Sequence, residues 1–241
     1  MANIEYLATE MEKLRTETTY NCLSTVACGA CLDVGCGFGV GSYILADFPS
    51  VTSVVGIDED VNIKFGGSGE AAKTPVVFMS IDLLEMPLSG RKFDTIVAVN
   101  VLEHVPDVDE FIKHVVALLK EDGRLLVSVP NAFSVHRCVG VSMGIIPEAH
   151  ALGPTDVKVG HRRVFDESSL TESLTKYFRT VHLSGSYYKT LPNSILEELH
   201  KKNPELVRAI VGFRATPTHA ADLIATAHQP KQSRKDKNEQ G

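Results

Sequence analysis

The sequence contains no tryptophan, and aromatic residues make up only 7% of its 241 residues. This scarcity argues against a large flat ligand held between aromatic rings. No apolar run approaches the length of a membrane span, and the charged opening segment lacks the apolar core of a secretory signal. We therefore expect a cytoplasmic protein without a membrane partner.

Positive charge is also in short supply, with 24 Lys and Arg against 30 Asp and Glu and a formal net charge of −6. Without a general basic field, tight binding to duplex nucleic acid is not expected. Small molecules or proteins remain as substrates, and we expect a small molecule. A homodimer is left open.

The five cysteines, in a chain without an export signal, are expected to be reduced thiols. Four of them, Cys22, Cys28, Cys31 and Cys36, fall close together and superficially resemble a zinc site. Because Cys31 lies inside a predicted strand and Cys36 inside a glycine loop, the four thiols cannot easily converge on one tetrahedral centre. We predict no zinc there.

Apolar runs rich in Val and Ile alternate with helical patterns in the first half of the chain. These runs barely alternate with polar residues, which is typical of parallel strands covered by helices on both faces. The predicted strands are 30–34, 53–57, 76–80, 93–99 and 124–129, with two late strands at 181–183 and 223–227. The clearest helix covers 108–120, with Asp107 as its N-cap. The order predicts an α/β fold with an open, doubly wound sheet.

We expect a single domain over residues 1–230, with residues 1–27 forming a helical cover at its start. Two segments interrupt the alternating pattern, at 131–165 and 185–218, and long loops of this kind are usually functional. Both are expected on the substrate side. The polar segment 231–241 is predicted to be a disordered tail.

A glycine-rich loop follows the first strand directly, in the run Leu32–Gly41, which reads LDVGCGFGVG. Such a turn at the carboxyl end of a strand is where open α/β sheets bind nucleotides. The spacing does not match the G-x-G-x-x-G of dinucleotide enzymes, which disfavours a nicotinamide cofactor. Asp33 suits an ammonium or sulfonium ligand better than a phosphate.

Two further acids follow the second and third strands. Asp58 stands 21 residues after Gly37, a spacing suited to a carboxylate that accepts both hydroxyls of a ribose. Asp82 can accept from the amino group of an adenine ring, with Ile81 or Leu83 against the face of that ring. The three acids form an ordered series along the sheet edge.

The combination LDVGCGFG, GID, SIDLLEMP, KFDTIVAVNVLEHVPD and GRLLVSVPN, in this order and spacing, resembles the class I S-adenosylmethionine-dependent methyltransferases of the UbiG-like, or type 11, branch. The resemblance covers roughly residues 28–130. It implies a Rossmann-like seven-stranded sheet of order 3-2-1-4-5-7-6 with the last strand antiparallel. It also implies S-adenosylmethionine as cofactor and S-adenosylhomocysteine as product. The residues expected to bind the cofactor are Asp33, Gly35, Cys36, Gly37, Gly39, Asp58, Glu59, Ile81, Asp82, Leu83 and Asn100.

His104 is the expected general base, because its unperturbed pKa lies close to neutrality. Asn100 and Asn131 are expected to orient the substrate. The alternative is that Glu103 and His104 only order the following helix and the adenosyl pocket. Some relatives, including RNA 2′-O-methyltransferases, hold a divalent metal with Glu-x-x-Glu-His at this position. Here Asn100 replaces the first Glu, so we predict no metal.

The expected substrate-binding residues lie in the two insertions. They are His161, Arg162, Arg163, Tyr187 and Tyr188. Arginines can bind a carboxylate or phosphate through two parallel hydrogen bonds. The alternative for the arginines is a solvated turn that holds the loop to the sheet by surface ion pairs, and one tyrosine can simply be core.

The sequence therefore predicts transfer of the sulfonium methyl to an oxygen or nitrogen of a small polar metabolite by in-line displacement. A second hypothesis is cyclisation of S-adenosylmethionine itself, as in an azetidine-2-carboxylate synthase, with release of methylthioadenosine. A third is a non-catalytic protein that binds the same molecule.

Overall fold

A computed structural model describes residues 10–61, 74–87, 90, 92–191, 193–212 and 215–231. The expected tail from residue 232 and the first nine residues of the expected N-terminal cover lie outside these. Within the described part of the chain, no helix is both long and apolar enough to cross a membrane.

Seven strands form one sheet in the order β3-β2-β1-β4-β5-β7-β6. The strands are β1 (Gly29–Val34), β2 (Val51–Asp58), β3 (Val76–Ser80), β4 (Phe93–Val99), β5 (Leu119–Pro130), β6 (Phe178–Gly185) and β7 (Asp222–Pro230). The first five are parallel, and β7 runs antiparallel to both β5 and β6. The predicted strand order and the antiparallel last strand are confirmed, although β6 and β7 are longer than predicted.

The central strands are buried on both faces because their apolar runs do not alternate. In β4, four consecutive residues from Thr95 to Ala98 are buried, and Leu125, Leu126 and Val127 of β5 show no exposure. Helices must therefore cover both sides of the sheet. They are α1 (Glu10–Leu23), α2 (Val40–Ala46), α3 (Val108–Leu118), α4 (Val135–Ser142), α5 (Pro154–Lys158), α6 (Glu167–Thr175), α7 (Asn193–Lys202) and α8 (Pro204–Gly212).

Helix α3 shows how the local sequence sets an element. The Asp107 side chain accepts a hydrogen bond from the Glu110 amide at 3.0 Å, so the predicted N-cap is confirmed. The helix buries one apolar stripe, made of Phe111, Ile112, Val115 and Leu118. It ends at Leu118, two residues before the predicted end.

The two insertions contain more helix than the sequence indicated. The first, 131–165, holds α4 and α5, and the second, 185–218, holds α7 and α8. Helix α8 begins at Pro204, where proline suits the first turn, and it packs Val207 and Val211 into a small separate cluster with Leu196 and Tyr187.

Candidate active site

The glycine loop joins β1 to α2 at the carboxyl edge of the sheet. Gly35 has a φ of +70° and Gly37 a φ of +51°, a region that side-chain-bearing residues rarely adopt. A Cβ at Gly35 would lie 2.6 Å from the Val101 side chain, whereas one at Gly37 would meet nothing within 4 Å. The loop therefore needs glycine for its backbone, and at Gly37 it leaves space open above the main chain.

Asp33 lies beneath this loop rather than on the wall of the crevice. Its side chain is buried and accepts a hydrogen bond from the Ser42 hydroxyl at 2.6 Å. Burial raises the pKa of Asp33 to about 7, although the Ser42 hydrogen bond opposes the shift. Cys36 is buried as well. The cofactor roles of both residues stay predictions.

A cavity of 550 Å³ opens at the carboxyl ends of the parallel strands. One end of the cavity is lined by residues that are expected to bind the cofactor, and we call it the adenosyl end: Gly35, Asp58, Glu59, Ile81, Asp82 and Leu83. The Asp58 carboxylate accepts a hydrogen bond from the Gly37 amide at 2.9 Å, which ties the loop to the end of β2. The Asp82 carboxylate caps a short 3-10 turn through the Leu84 amide at 2.9 Å. Both acids thus have fixed positions on the cavity wall.

The other end of the cavity is lined by Asn100, His104, Gly160 and Arg162. Asn100 follows β4 with a φ of +55°, and its side-chain oxygen accepts a hydrogen bond from the Arg15 guanidinium at 3.0 Å. Arg15 comes from α1 and also pairs with Asp222 at 2.7 Å. Arg15 thus ties α1 to the residue that follows β4 and, through an ion pair that the sequence did not reveal, to Asp222 of β7, while the role of residues 1–27 as a cover stays a prediction.

Glu103, His104 and His161 come together at the same end. Their ligand atoms lie within 4.8 Å of one another, and the two imidazole rings meet edge to face with centroids 4.8 Å apart. Glu103 is fully buried, and this burial raises the pKa of its carboxyl group to about 8, against a smaller opposing effect of Arg15. Burial and the neighbouring His104 lower the pKa of His161, while Asp156 opposes that shift.

The first insertion reaches this cluster through backbone contacts. The Arg162 amide donates to the Glu103 carbonyl at 2.8 Å. The Arg163 guanidinium donates to the carbonyls of Leu102, Val105 and Pro106. Arg163 was expected to bind substrate, but its donors are engaged by the turn that carries Glu103 and His104. Arg163 therefore holds the first insertion against that turn.

Three other expected site residues also have structural contacts. The Asn131 amide nitrogen donates to the carbonyls of Pro217, Thr218 and Ala220, and its oxygen accepts from Phe133. Asn131 therefore joins the two insertions. Both polar atoms of its side chain already have hydrogen-bond partners within the protein.

Tyr187 is buried against α7 and α8, which matches the alternative that one tyrosine belongs to the core. The Tyr188 hydroxyl lies 3.1 Å from the Thr216 hydroxyl. Neither tyrosine lines the cavity.

Four residues of the site were not found from the sequence: Arg15, Arg137, Asp156 and Asp222. Arg137 is a buried arginine of α4 that pairs with Asp156 of α5 at 2.8 Å. A single arginine and a single aspartate in two short helices of one insertion carry no periodic signal, so only the spatial arrangement reveals their pairing.

Comparison with known proteins decides the family. The profile of a family described as a methyltransferase domain matches residues 5–181. The chain belongs to this family of class I S-adenosylmethionine-dependent methyltransferases. The sequence resemblance and the expected transferase class are thereby confirmed.

Individual relatives share only part of the chain or only its fold. A ubiquinone biosynthesis O-methyltransferase of Coxiella burnetii is 32% identical over 100 residues, which is 42% of this chain and 43% of that protein. This chain thus matches less than half of that relative's length.

Among solved structures, a SAM-dependent methyltransferase from Thermotoga maritima has a TM-score of 0.58 and 15% identity, covering 90% of this methyltransferase and 89% of that chain. The N-methyltransferase NodS from Bradyrhizobium japonicum WM9, crystallised with S-adenosylhomocysteine, has a TM-score of 0.54 and 15% identity, covering 95% and 92%. These two likenesses show the shared fold.

Proposed function

We propose that this protein transfers the methyl group of S-adenosylmethionine to an oxygen or nitrogen atom of a small polar metabolite, leaving S-adenosylhomocysteine. One observation carries the proposal: a single cavity runs from the carboxylates of Asp58 and Asp82 to the polar groups of Asn100 and His104. Its volume of 550 Å³ lies within the range of small-molecule sites.

The adenosyl end holds the nucleoside. The Asp58 carboxylate accepts the two ribose hydroxyls, and Asp82 accepts from the adenine amino group while Ile81 and Leu83 pack on the ring. These contacts direct the methionine arm past the glycine loop towards Asn100. The sulfonium methyl thereby points towards the other end of the cavity, which we call the acceptor end and which is lined by Asn100, His104, Gly160 and Arg162.

The chemistry asks little of the protein beyond alignment. A sulfonium methyl carbon is already activated, so the site must hold the nucleophile in line with the breaking carbon–sulfur bond and exclude water. Cover from α1 through Arg15 and from the first insertion through Arg162 serves that exclusion. The acceptor's reacting atom lies beside His104, which keeps its predicted role at the acceptor proton.

The acceptor class is supported by the lack of tryptophan and by the polar lining near Asn100. The named activities of the relatives include both O- and N-methylation, so either nucleophile fits this site. A cytoplasmic location and a homodimer stay predictions.

The deciding experiment incubates purified protein with S-adenosylmethionine, first alone and then with a metabolite mixture, and identifies all adenosyl products by mass spectrometry. We expect binding without consumption in the first case and S-adenosylhomocysteine with a methylated metabolite in the second. Release of methylthioadenosine without an acceptor would replace the proposal by self-cyclisation. Failure to bind S-adenosylmethionine would overturn it.

A further inference from the structure

The strongest unexplained feature of the cavity is the side chain of Glu103. It is fully buried, and neither carboxylate oxygen has a hydrogen-bond partner among the described residues. A buried carboxylate is strongly unfavourable unless it is paired, hydrogen-bonded or bound to a metal ion. Glu103 is therefore either protonated or paired with a positive charge that its surroundings supply.

The His161 imidazole lies too far from this carboxylate for a hydrogen bond but close enough to share a cation with it. The His161 Nε2 atom lies 4.0 Å from Glu103 Oε1. Hydrogen bonds between nitrogen and oxygen span about 2.7–3.2 Å. Two ligand atoms bonded to one tetrahedral ion at about 2.0–2.2 Å lie about 3.4 Å apart, so a movement of roughly half an ångström brings both atoms to one ion. His104 offers the third ligand atom within the same 4.8 Å group.

A contact at the second ring nitrogen fixes the orientation of His161. Its Nδ1 atom lies 3.1 Å from an Asp156 oxygen, which leaves Nε2 directed at Glu103. Asp156 in turn accepts from Arg137 at 2.8 Å and from the Gly153 amide at 2.8 Å. A carboxylate that accepts from the second nitrogen of an imidazole is the usual support of a metal-binding histidine. The helical insertion thus builds an outer shell around this one ring.

Asn100 does not join the cluster as a fourth ligand, because its side-chain oxygen already accepts a hydrogen bond from Arg15. The ligand set is then one carboxylate and two imidazoles, with its remaining positions towards the cavity that His104 lines. Imidazole-rich sites favour zinc, cobalt, nickel and iron, whereas Mg²⁺ prefers an all-oxygen octahedron.

We infer that Glu103, His104 and His161 bind one divalent transition-metal ion at the acceptor end of the cavity, with a preference for ions such as Zn²⁺ and Co²⁺ over Mg²⁺. The opposite prediction from the sequence depended on Asn100 in place of a glutamate, and it could not place His161 beside Glu103. When bound, such an ion would lower the pKa of a coordinated acceptor hydroxyl, and His104 would then hold the ion instead of acting as a free base. The use of the ion in catalysis rests on the proposed function, but its binding does not.

The test is titration of the tag-free, chelator-stripped full chain with CoCl₂, followed by calorimetry and by visible absorption, without S-adenosylmethionine or acceptor. We expect one equivalent to bind and 10 mM MgCl₂ to leave the isotherm unchanged. His161→Gln should weaken the affinity by at least about 10-fold, and Asp156→Asn should weaken it by about 10-fold through loss of ring orientation. His150→Gln is the matched control, since His150 is an exposed histidine of the same insertion paired with Asp166, and it should bind Co²⁺ as the parent does.

Three results would overturn the inference: no binding above the buffer blank, equal binding by the parent and the folded His161→Gln variant, or an intense thiolate-to-cobalt absorption showing that cysteines hold the ion. Because the assay contains no methyl donor, a failure here leaves the proposed methyl transfer intact. Conversely, cobalt binding by a protein that transfers no methyl group would support the ion site alone.

Discussion

The two ends of the cavity are built in different ways. At the adenosyl end, Gly35, Asp58 and Asp82 stand at or just beyond the carboxyl ends of three parallel strands. At the acceptor end, Glu103 and His104 follow β4, but the groups around them come from α1 and from the first insertion. The comparison shows that strand ends place residues by local chemistry, whereas the acceptor end depends on contacts between distant segments.

The sharpest separation of the two ends is expected from His104→Ala. Loss of this side chain should lower turnover with the true acceptor by roughly 100- to 10,000-fold, the range for removal of a group that assists proton transfer. The affinity for S-adenosylmethionine, measured by calorimetry, should stay nearly unchanged because the adenosyl contacts are elsewhere. Equal turnover in parent and variant would show that His104 is only structural and would remove it from the difference between the adenosyl end and the acceptor end.

A large effect is also expected at the adenosyl end, where Asp33 is buried below the glycine loop. Its folded pKa of about 7 exceeds its ordinary value, so between these two values the unfolded chain is ionised while the folded one holds its proton. The stabilising contribution of the protonated group is complete at low pH and is lost as the pH rises to about 7.

Chemical denaturation of the parent should therefore show a free energy of unfolding that falls by roughly 2 to 3 kcal/mol between pH 5 and pH 7.5 through Asp33. Asp33→Asn keeps a polar group towards Ser42 but cannot ionise, so its stability should fall less over the same range. Identical pH dependence of the two proteins would contradict the assignment.

Asp58→Ala tests the ribose contact directly. We expect the binding free energy for S-adenosylmethionine to weaken by at least about 1 kcal/mol, since two hydroxyl hydrogen bonds are lost. Asp60→Ala, two residues further on and away from the cavity lining, is the control and should leave affinity unchanged. Unchanged affinity in a folded Asp58→Ala protein would remove this residue from the nucleoside site.

Asp166→Ala examines a position outside both ends. Asp166 caps α6 by accepting from the Ser169 amide at 2.7 Å, and loss of such a cap costs about 1 kcal/mol of stability. Asp166→Asn should retain most of that stability. Thermal denaturation compares the three proteins, and a destabilisation by asparagine as large as that by alanine would show that the charge, with its His150 contact, matters more than the cap.

The smallest effect is expected from Tyr188→Phe. The Tyr188 hydroxyl contacts Thr216, not the cavity, so turnover should change by no more than about twofold, as for surface substitutions. A larger loss, measured in steady-state kinetics, would return Tyr188 to the substrate site where the sequence placed it and extend the acceptor end into the second insertion.

Much of the adenosyl end could be predicted because each of its residues follows a recognisable strand. Asp58 and Asp82 line the cavity at the positions implied by their place in the chain. Asp33 was expected on the cavity wall, yet it lies buried with Ser42, because the sequence does not show which side of a strand end faces solvent. The Asp107 cap of α3 was likewise readable from a short-range pattern.

The acceptor end was predicted only in part. Asn100 and His104 line the cavity, since they follow β4 in the same way, and their roles there stay predictions. Asn131 and Arg163 were expected at the substrate, but both satisfy backbone carbonyls of neighbouring loops. A polar side chain in a loop looks the same in sequence whether it binds a ligand or holds the loop in place.

The sequence by itself determined the α/β class and the series of acids at the strand ends, because hydrophobic runs and turn glycines act over a few residues, while the order of strands in the sheet followed from the resemblance to the methyltransferases. Only the tertiary structure decided that His161, held by Asp156 and Arg137, stands opposite the buried Glu103. Such pairings arise when an irregular insertion folds back over the sheet, and its path depends on packing and on paired buried charges rather than on any local pattern.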